Sequence, residues 1–182
     1  MADEVVLRDG TSAMVWPLLA TDRAGLREGY EHLSPEAQYN RFLSGVPHLT
    51  DHMLHLLVYE VDGVNHIALV LIALPEGTAE QHVGVARMVR YDDRPWAADV
   101  AVTVADDWQR RGVASALMTC LARRRPAGVR QVITQVAADN PAPLALLRHL
   151  GQVVATPNGP GVLDVVVTLD DPPEEGSAPT AR

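Results

Sequence analysis

The sequence predicts an α/β domain built on a mixed β-sheet, and three observations carry that expectation. Residues 64–74 (Val-Asn-His-Ile-Ala-Leu-Val-Leu-Ile-Ala-Leu) and 82–91 (His-Val-Gly-Val-Ala-Arg-Met-Val-Arg-Tyr) are rich in β-branched and apolar residues. The turn-forming run Pro75-Glu-Gly-Thr78 joins them, which marks an antiparallel hairpin. Further strands at 98–104 and 129–137 flank a helical segment at 110–125, a strand–helix–strand unit of the parallel type. The length of 182 residues suits one domain with its own core.

The remaining elements follow in chain order. Val5-Val6-Leu7 reads as a short strand entering the turn Arg8-Asp9-Gly10. Segments near 18–32, 34–44 and 50–58 place Leu26, Tyr30, Tyr39, Phe42, Leu43, Leu54 and Leu57 at spacings of three and four, so two or three short helices are expected. Ser34-Pro35 supplies one of them with an N-cap and a first-turn proline. A helix after Asn140-Pro141 runs to Leu150 and stops at Gly151, and Val162–Thr168 forms the last strand. The domain thus spans 1–169. Residues 170–182 are rich in Pro, Glu, Gly, Ser and Ala without an apolar face, and are read as a disordered C-terminal tail.

Composition narrows the function. A net charge of -8 argues against phosphate backbones as the main partner, so nucleic acid is not expected. No apolar run reaches about 18 residues and the start lacks a basic n-region, so neither a membrane span nor a signal peptide is expected and the protein is placed in the cytoplasm. The single cysteine, Cys120, fits a reducing compartment and is read as a small buried hydrophobe. His48, His52 and His55 lack the cysteines or paired carboxylates that would complete a ligand set, so no metal is expected. All 15 basic residues are arginines; an enzyme that modified lysines would find none on itself.

The informative stretch runs from Asp99 to Ser115: Asp-Val-Ala-Val-Thr-Val-Ala-Asp-Asp-Trp-Gln-Arg-Arg-Gly-Val-Ala-Ser. Here a strand passes through a tight connection into a helix. Free N–H groups and the positive end of the dipole at a helix start make an anion site, Gly112 and Ala114 leave room for a pyrophosphate, and Arg110 and Arg111 add charge. Taken alone, the pattern also describes an ordinary surface helix with solvated arginines.

Gln109-Arg110-Arg111-Gly112-Val113-Ala114 resembles the signature of the GNAT acyltransferase superfamily: Gln or Arg, two residues, Gly, one residue, then Gly or Ala. Asn140 to Gly151 resembles the superfamily's later Asn-led helix ending in Gly. Within the first part of the chain, Leu33-Ser34 through Tyr39-Asn-Arg41-Phe42 is similar to a segment of the bacterial protein lysine acetyltransferases. The resemblance is sharp over 99–151 and looser elsewhere. It implies the GNAT fold, with helices on both faces of the sheet and two splayed parallel strands that bind CoA.

The same resemblance implies acetyl-CoA as co-substrate and an amine as acceptor, either a small molecule or a protein lysine or N-terminus, joined in a ternary complex; a homodimer stays open. Val102-Thr103-Val104 would pair with the pantetheine arm, Gln109, Arg110, Arg111, Gly112, Val113, Ala114 and Ser115 would hold the pyrophosphate, and Asn140 would contact the pantetheine or acetyl end. Asn before Pro is equally a cap that needs no ligand. Asp99 stands where the lysine acetyltransferases often place a Glu base. Alternation puts Asp99, Ala101 and Thr103 on one face of the strand; the other reading is a carboxylate in solvent or paired with Arg94. Many family members carry a Tyr as general acid where this chain has Leu147, so Tyr91, His149 or no dedicated acid would serve the thiolate. An inactive CoA-binding sensor or partner-binding module is the alternative.

Overall fold

A computed structural model describes residues 2–170. Eight strands form a single sheet in the order β1-β2-β3-β4-β5-β6-β8-β7, comprising β1 (Asp3–Val6), β2 (Ser12–Pro17), β3 (His66–Leu74), β4 (Gln81–Arg90), β5 (Ala97–Val104), β6 (Gln131–Ala137), β7 (Gly151–Pro157) and β8 (Val162–Leu169). Every neighbouring pair is antiparallel except β5 and β6. The mixed sheet expected from the hairpin and the strand–helix–strand unit is therefore present.

Helices cover both faces. On one side lie α4 (Val113–Arg123) and α5 (Pro141–Leu147). Leu117 and Leu121 of α4 are fully buried with Leu69, Leu71 and Met88 of the sheet, and Leu147 joins the same core. At Gly84 in β4 a Cβ would meet Val113 Cγ1 at 2.8 Å, so the absent side chain is what lets α4 approach the sheet. Truncating Leu117 to Ala would leave a cavity there and cost about 2–5 kcal/mol. On the other side lie α1 (Arg23–Glu31), α2 (Pro35–Phe42) and α3 (Asp51–Tyr59). Val58 of α3 packs on Ala68 and Val70, while Tyr30, Leu33, Leu49 and Leu54 form a small core among the helices themselves.

Caps explain where the helices begin. The Ser34 hydroxyl accepts the Ala37 N–H and Thr50 accepts that of Met53, each satisfying a first-turn donor that has no intrahelical partner. A left-handed Leu43 (φ 50°) ends α2. No helix among the described residues is long and apolar enough to cross a membrane.

The structure corrects several sequence expectations. The helix read as 110–125 begins only at Val113, because Arg110 (φ 62°) and Gly112 (φ 97°) take left-handed conformations that break the helical path. The segment near 18–32 divides into a 3₁₀ turn at Ala20–Asp22 and α1. Strands β2 and β7 were not anticipated. β7 sits at the sheet edge with most residues exposed, so it lacks an apolar alternation to read; its pairing with β8 makes it a strand. Of the predicted tail, Asp170 is held: its N–H donates to the Leu150 carbonyl, and its own carbonyl accepts from Arg125. Residues 171–182 lie outside the described residues.

Candidate active site at the splay of the parallel strands

β5 and β6 pair only at Ala97 with Gln131 and Ala98 with Val132, although β5 continues to Val104 and β6 to Ala137. Beyond this point the strands diverge. The Thr134 hydroxyl donates to the Val100 carbonyl (3.3 Å), a side-chain bond where the ladder would otherwise supply one. A cleft of about 690 Å³ opens between the strands, and its walls bring together Asp99, Val102, Asn140, Leu147, Tyr91 and Arg41. An unpaired strand edge facing such a cleft can accept an extended amide-bearing chain by backbone hydrogen bonds.

Asp99 lies at the head of the splay, opposite Val89 on β4. Burial pushes its carboxyl pKa above the usual carboxylate range. The Thr134 hydroxyl, when it turns its single proton from the Val100 carbonyl to this carboxylate, the Val100 N–H and the positive charge of Arg41 act in the opposite direction and keep an anion tolerable. A carboxylate held in this way is a stronger proton acceptor than one in water. The cation facing Asp99 is Arg41, not Arg94: Arg94 pairs with Asp93 at 3.4 Å and stacks over the Tyr91 ring at 4.6 Å. Arg41 comes from the last turn of α2 and lies 4.5 Å from the Phe42 ring centroid.

The candidates for an acid separate clearly. Tyr91 lines the cleft and donates its hydroxyl proton to the Ile133 carbonyl (3.0 Å), while burial raises its pKa. His149 is exposed and outside the cleft wall. Leu147 is 3 % exposed and forms part of both the core and the wall. Asn140 caps α5 by accepting the Ala142 N–H on Oδ1 (3.1 Å); its Nδ2 has no partner among the described residues.

The other predicted residues sit at the exit of β5. Gln109 donates to Asp106 (3.1 Å), and the same carboxylate accepts the N–H and hydroxyl of Ser34, which ties the start of α2 to this loop. Arg111 is already engaged. It forms an ion pair with Asp9 and stacks on the Trp108 ring at 3.8 Å, so its charge braces the loop instead of standing free for phosphate. The Asp9 carboxyl is held at about 2 by the Thr11 N–H, the Thr11 hydroxyl and Arg111. Arg110 is exposed, and the first-turn N–H groups of α4 at Val113, Ala114 and Ser115 have no intrahelical acceptor. Gly112 adopts a left-handed φ, and a Cβ there would stand 3.1 Å from Arg8 Cγ; this tight packing against Arg8 was not foreseen in reading the glycine as room for a ligand. Thr103 lies outside the cleft wall and lines a smaller cavity under α1–α3. Val104 packs against the α4-side core.

Sequence reasoning passed over Arg41 as a site residue, although it lies inside the noted Tyr39-Asn-Arg41-Phe42 segment. It also missed Thr134 and Arg87, whose strands carry no local signal of a site.

The model of the Acetyltransferase (GNAT) family matches residues 26–152. The chain is 33 % identical over 176 residues to acetyltransferase Pat of Mycolicibacterium smegmatis, covering 96 % of this chain but only 50 % of that protein, so it spans half the length of this relative. It is 31 % identical over 150 residues to an acetyltransferase of Pseudomonas aeruginosa, covering 81 % of this chain and 78 % of that one. Among solved structures it superposes on the GNAT domain of S. lividans PAT with a TM-score of 0.79 at 29 % identity, covering 92 % of this chain and 97 % of the other.

Proposed function

The chain belongs to the GNAT acetyltransferase family, and from that premise we propose that it transfers the acetyl group of acetyl-CoA directly to a primary amine in a ternary complex. The observation that carries this reading is the early divergence of β5 from β6 with a buried carboxylate, Asp99, at its head. The open edge at Val102, Thr103 and Val104 fits the amides of a pantetheine arm. The free N–H groups of Val113, Ala114 and Ser115, with the exposed Arg110 and the loop from Gln109 through Gly112, fit a pyrophosphate. Arg111 contributes by holding that loop to Asp9. Asn140 offers its free Nδ2 toward the thioester end.

Asp99 takes the proton of the acceptor amine, directly or through a water, and so frees the nitrogen lone pair to bond the acetyl carbon. As that C–N bond forms, the C–S bond breaks, the electron pair leaves on sulfur, and the second proton of the amine nitrogen passes to the departing thiolate. The resulting thiolate, with a pKa of about 8.5 for an ordinary thiol, can depart without a strong acid. Tyr91 is the hydroxyl on the cleft wall that can share a proton with it. No covalent enzyme intermediate and no metal are required.

The test is mass spectrometry of candidate amines, including small amines, amino acids and lysine peptides, incubated with protein and acetyl-CoA, paired with calorimetry of CoA binding. An acetylated product supports the reading. Binding of CoA without any product favours a sensor instead, for which the buried Leu147 in place of a phenol is the structural support.

A further inference from the structure

The face of the sheet opposite α4 holds two guanidinium groups that the acetyl-transfer chemistry does not use up. Arg87 on β4 is 6 % exposed and is the one buried charged residue among those described. Its Nη1 donates to the Leu57 carbonyl (3.1 Å) near the end of α3 and lies 3.2 Å from His66 Nε2. The Leu57 carbonyl carries no charge, and burial together with Arg87 pushes the His66 pKa below its usual value. Neither Arg87 nor Arg41 has an ion pair within 4.0 Å among the described residues. A buried cation without an anion is expensive, and burial together with Arg41 depresses the Arg87 pKa to about 9, which leaves it charged at neutral pH.

Both arginines line an otherwise largely apolar cavity of about 170 Å³ between α1–α3 and strands β3–β5. The other ionisable groups on its wall are Asp22, Tyr30 and His82. The Asp22 carboxylate is occupied as a cap, accepting the Leu19 N–H (2.8 Å), and the Tyr30 hydroxyl donates to the Val46 carbonyl (2.5 Å). His82 is exposed. Asp99 faces Arg41 without an ion pair within 4.0 Å, and no carboxylate among the described residues is placed against Arg87. Leu18, Leu26, Val70 and Val85 supply apolar wall. A cavity of about 150 Å³ can hold a benzene ring, so this one takes an apolar group of that size.

The cavity adjoins the cleft at Arg41 and Phe42, which line both. Cross-strand pairing sets Arg87 opposite Ala101, and Asp99 is two residues along β5, so Arg87 and Asp99 are diagonal neighbours on one face. We propose that this cavity is the acceptor pocket and that the acceptor is a small apolar amino acid, its carboxylate held by Arg87 and Arg41, its side chain in the cavity and its amine turned toward Asp99. This assignment rests on the acetyl-transfer reading above and names its substrate class. A free lysine side chain suits the pocket less well, since a long cationic group would approach two arginines.

The test compares acceptors matched in shape. Leucine, leucinamide and 3-methylbutylamine share one apolar body and one amine but differ in the carboxylate, and a lysine peptide completes the set. With acetyl-CoA, leucine should exceed the other three in kcat/KM by about 10- to 100-fold, the range expected for a hydrogen-bonded charge pair. Arg87→Met should abolish that preference, and Arg87→Lys should restore part of it. Calorimetry with 4-methylpentanoate, the same body and carboxylate without an amine, gives a readout independent of turnover: binding to the wild type and loss in Arg87→Met are expected. Because a buried substitution can unsettle the fold, Arg41→Met serves as a second variant and should weaken 4-methylpentanoate in the same direction. If 3-methylbutylamine or the lysine peptide matches leucine, the pocket assignment is overturned while acetyl transfer stands. If CoA binds and no amine is acetylated, both fall together.

Discussion

The two cavities on either side of the splay are built in different ways. The cleft proposed for CoA draws on local features: a strand edge left open at Asp99–Val104 and an N-cap at Asn140, with the helix start at Val113 between them in sequence, lie within about 40 residues of one another. The cavity on the other face is assembled from α1, α2 and α3 packed on β3, β4 and β5, and its two charges come from residues 41 and 87. On the proposed donor side backbone geometry would do most of the binding, so a short motif can carry it. The other depends on which side chains meet across the fold, so it is free to change acceptor while the donor site stays as it is.

The largest effect is expected at Asp99, where the two sides meet. Asp99→Asn keeps the shape and removes the base, so kcat should fall by about 10²- to 10⁴-fold while CoA affinity measured by calorimetry hardly moves. The base acts only when ionised. The wild-type rate should therefore rise with pH through an apparent pKa above the ordinary carboxylate range, as its burial requires, and the variant should lack that limb. Repeating the profile with an acceptor of lower amine pKa separates the two groups: an inflection that moves with the acceptor, together with full rate in Asp99→Asn, would rule out this role.

The donor side should respond in binding instead of rate. Gly112→Glu forces a side chain onto a left-handed φ, crowds Arg8 and sets a negative charge at the anion site. CoA affinity should drop by about 10- to 100-fold with the far-ultraviolet circular dichroism of the fold retained, on the scale of about 1–3 kcal/mol for a disrupted site. Unchanged calorimetry would remove the loop from the donor site.

A smaller effect is expected at Tyr91. Its hydroxyl proton is already shared with the Ile133 carbonyl and a thiolate can leave unaided, so Tyr91→Phe should lower kcat by no more than about tenfold. A larger loss, with CoA affinity intact, would make Tyr91 the acid that replaces the phenol absent at Leu147. The smallest effect belongs to the brace. Asp9→Asn releases Arg111 and should raise the CoA Kd by less than about tenfold without changing kcat, as for other exposed ion pairs, and the change should shrink in high salt. Its pH dependence has a fixed sign. A carboxyl held at about 2 in the folded protein supports the loop above the ordinary carboxylate pKa and loses that support as pH falls toward 2.

The features legible in the sequence are those governed by short-range rules. The hairpin, the strand–helix–strand unit, the caps at Ser34 and Asn140, the Gln109–Ala114 motif and Asp99 on the face shared with Ala101 and Thr103 are all visible within a few residues of each feature. The start of α4 was misplaced by three residues, because a left-handed Arg110 gives no signal of its own. β7 stayed hidden because an exposed edge strand has no apolar alternation, and only its partner β8 defines it. Only the folded contacts show that Arg111 pairs with Asp9, that Arg41 and not Arg94 faces Asp99, and that Arg87 is buried beside an apolar cavity with no carboxylate paired to it. Those facts depend on contacts between residues up to about a hundred positions apart, and burial and pairing of a charge are properties of the folded surroundings, not of the residue or its neighbours in sequence.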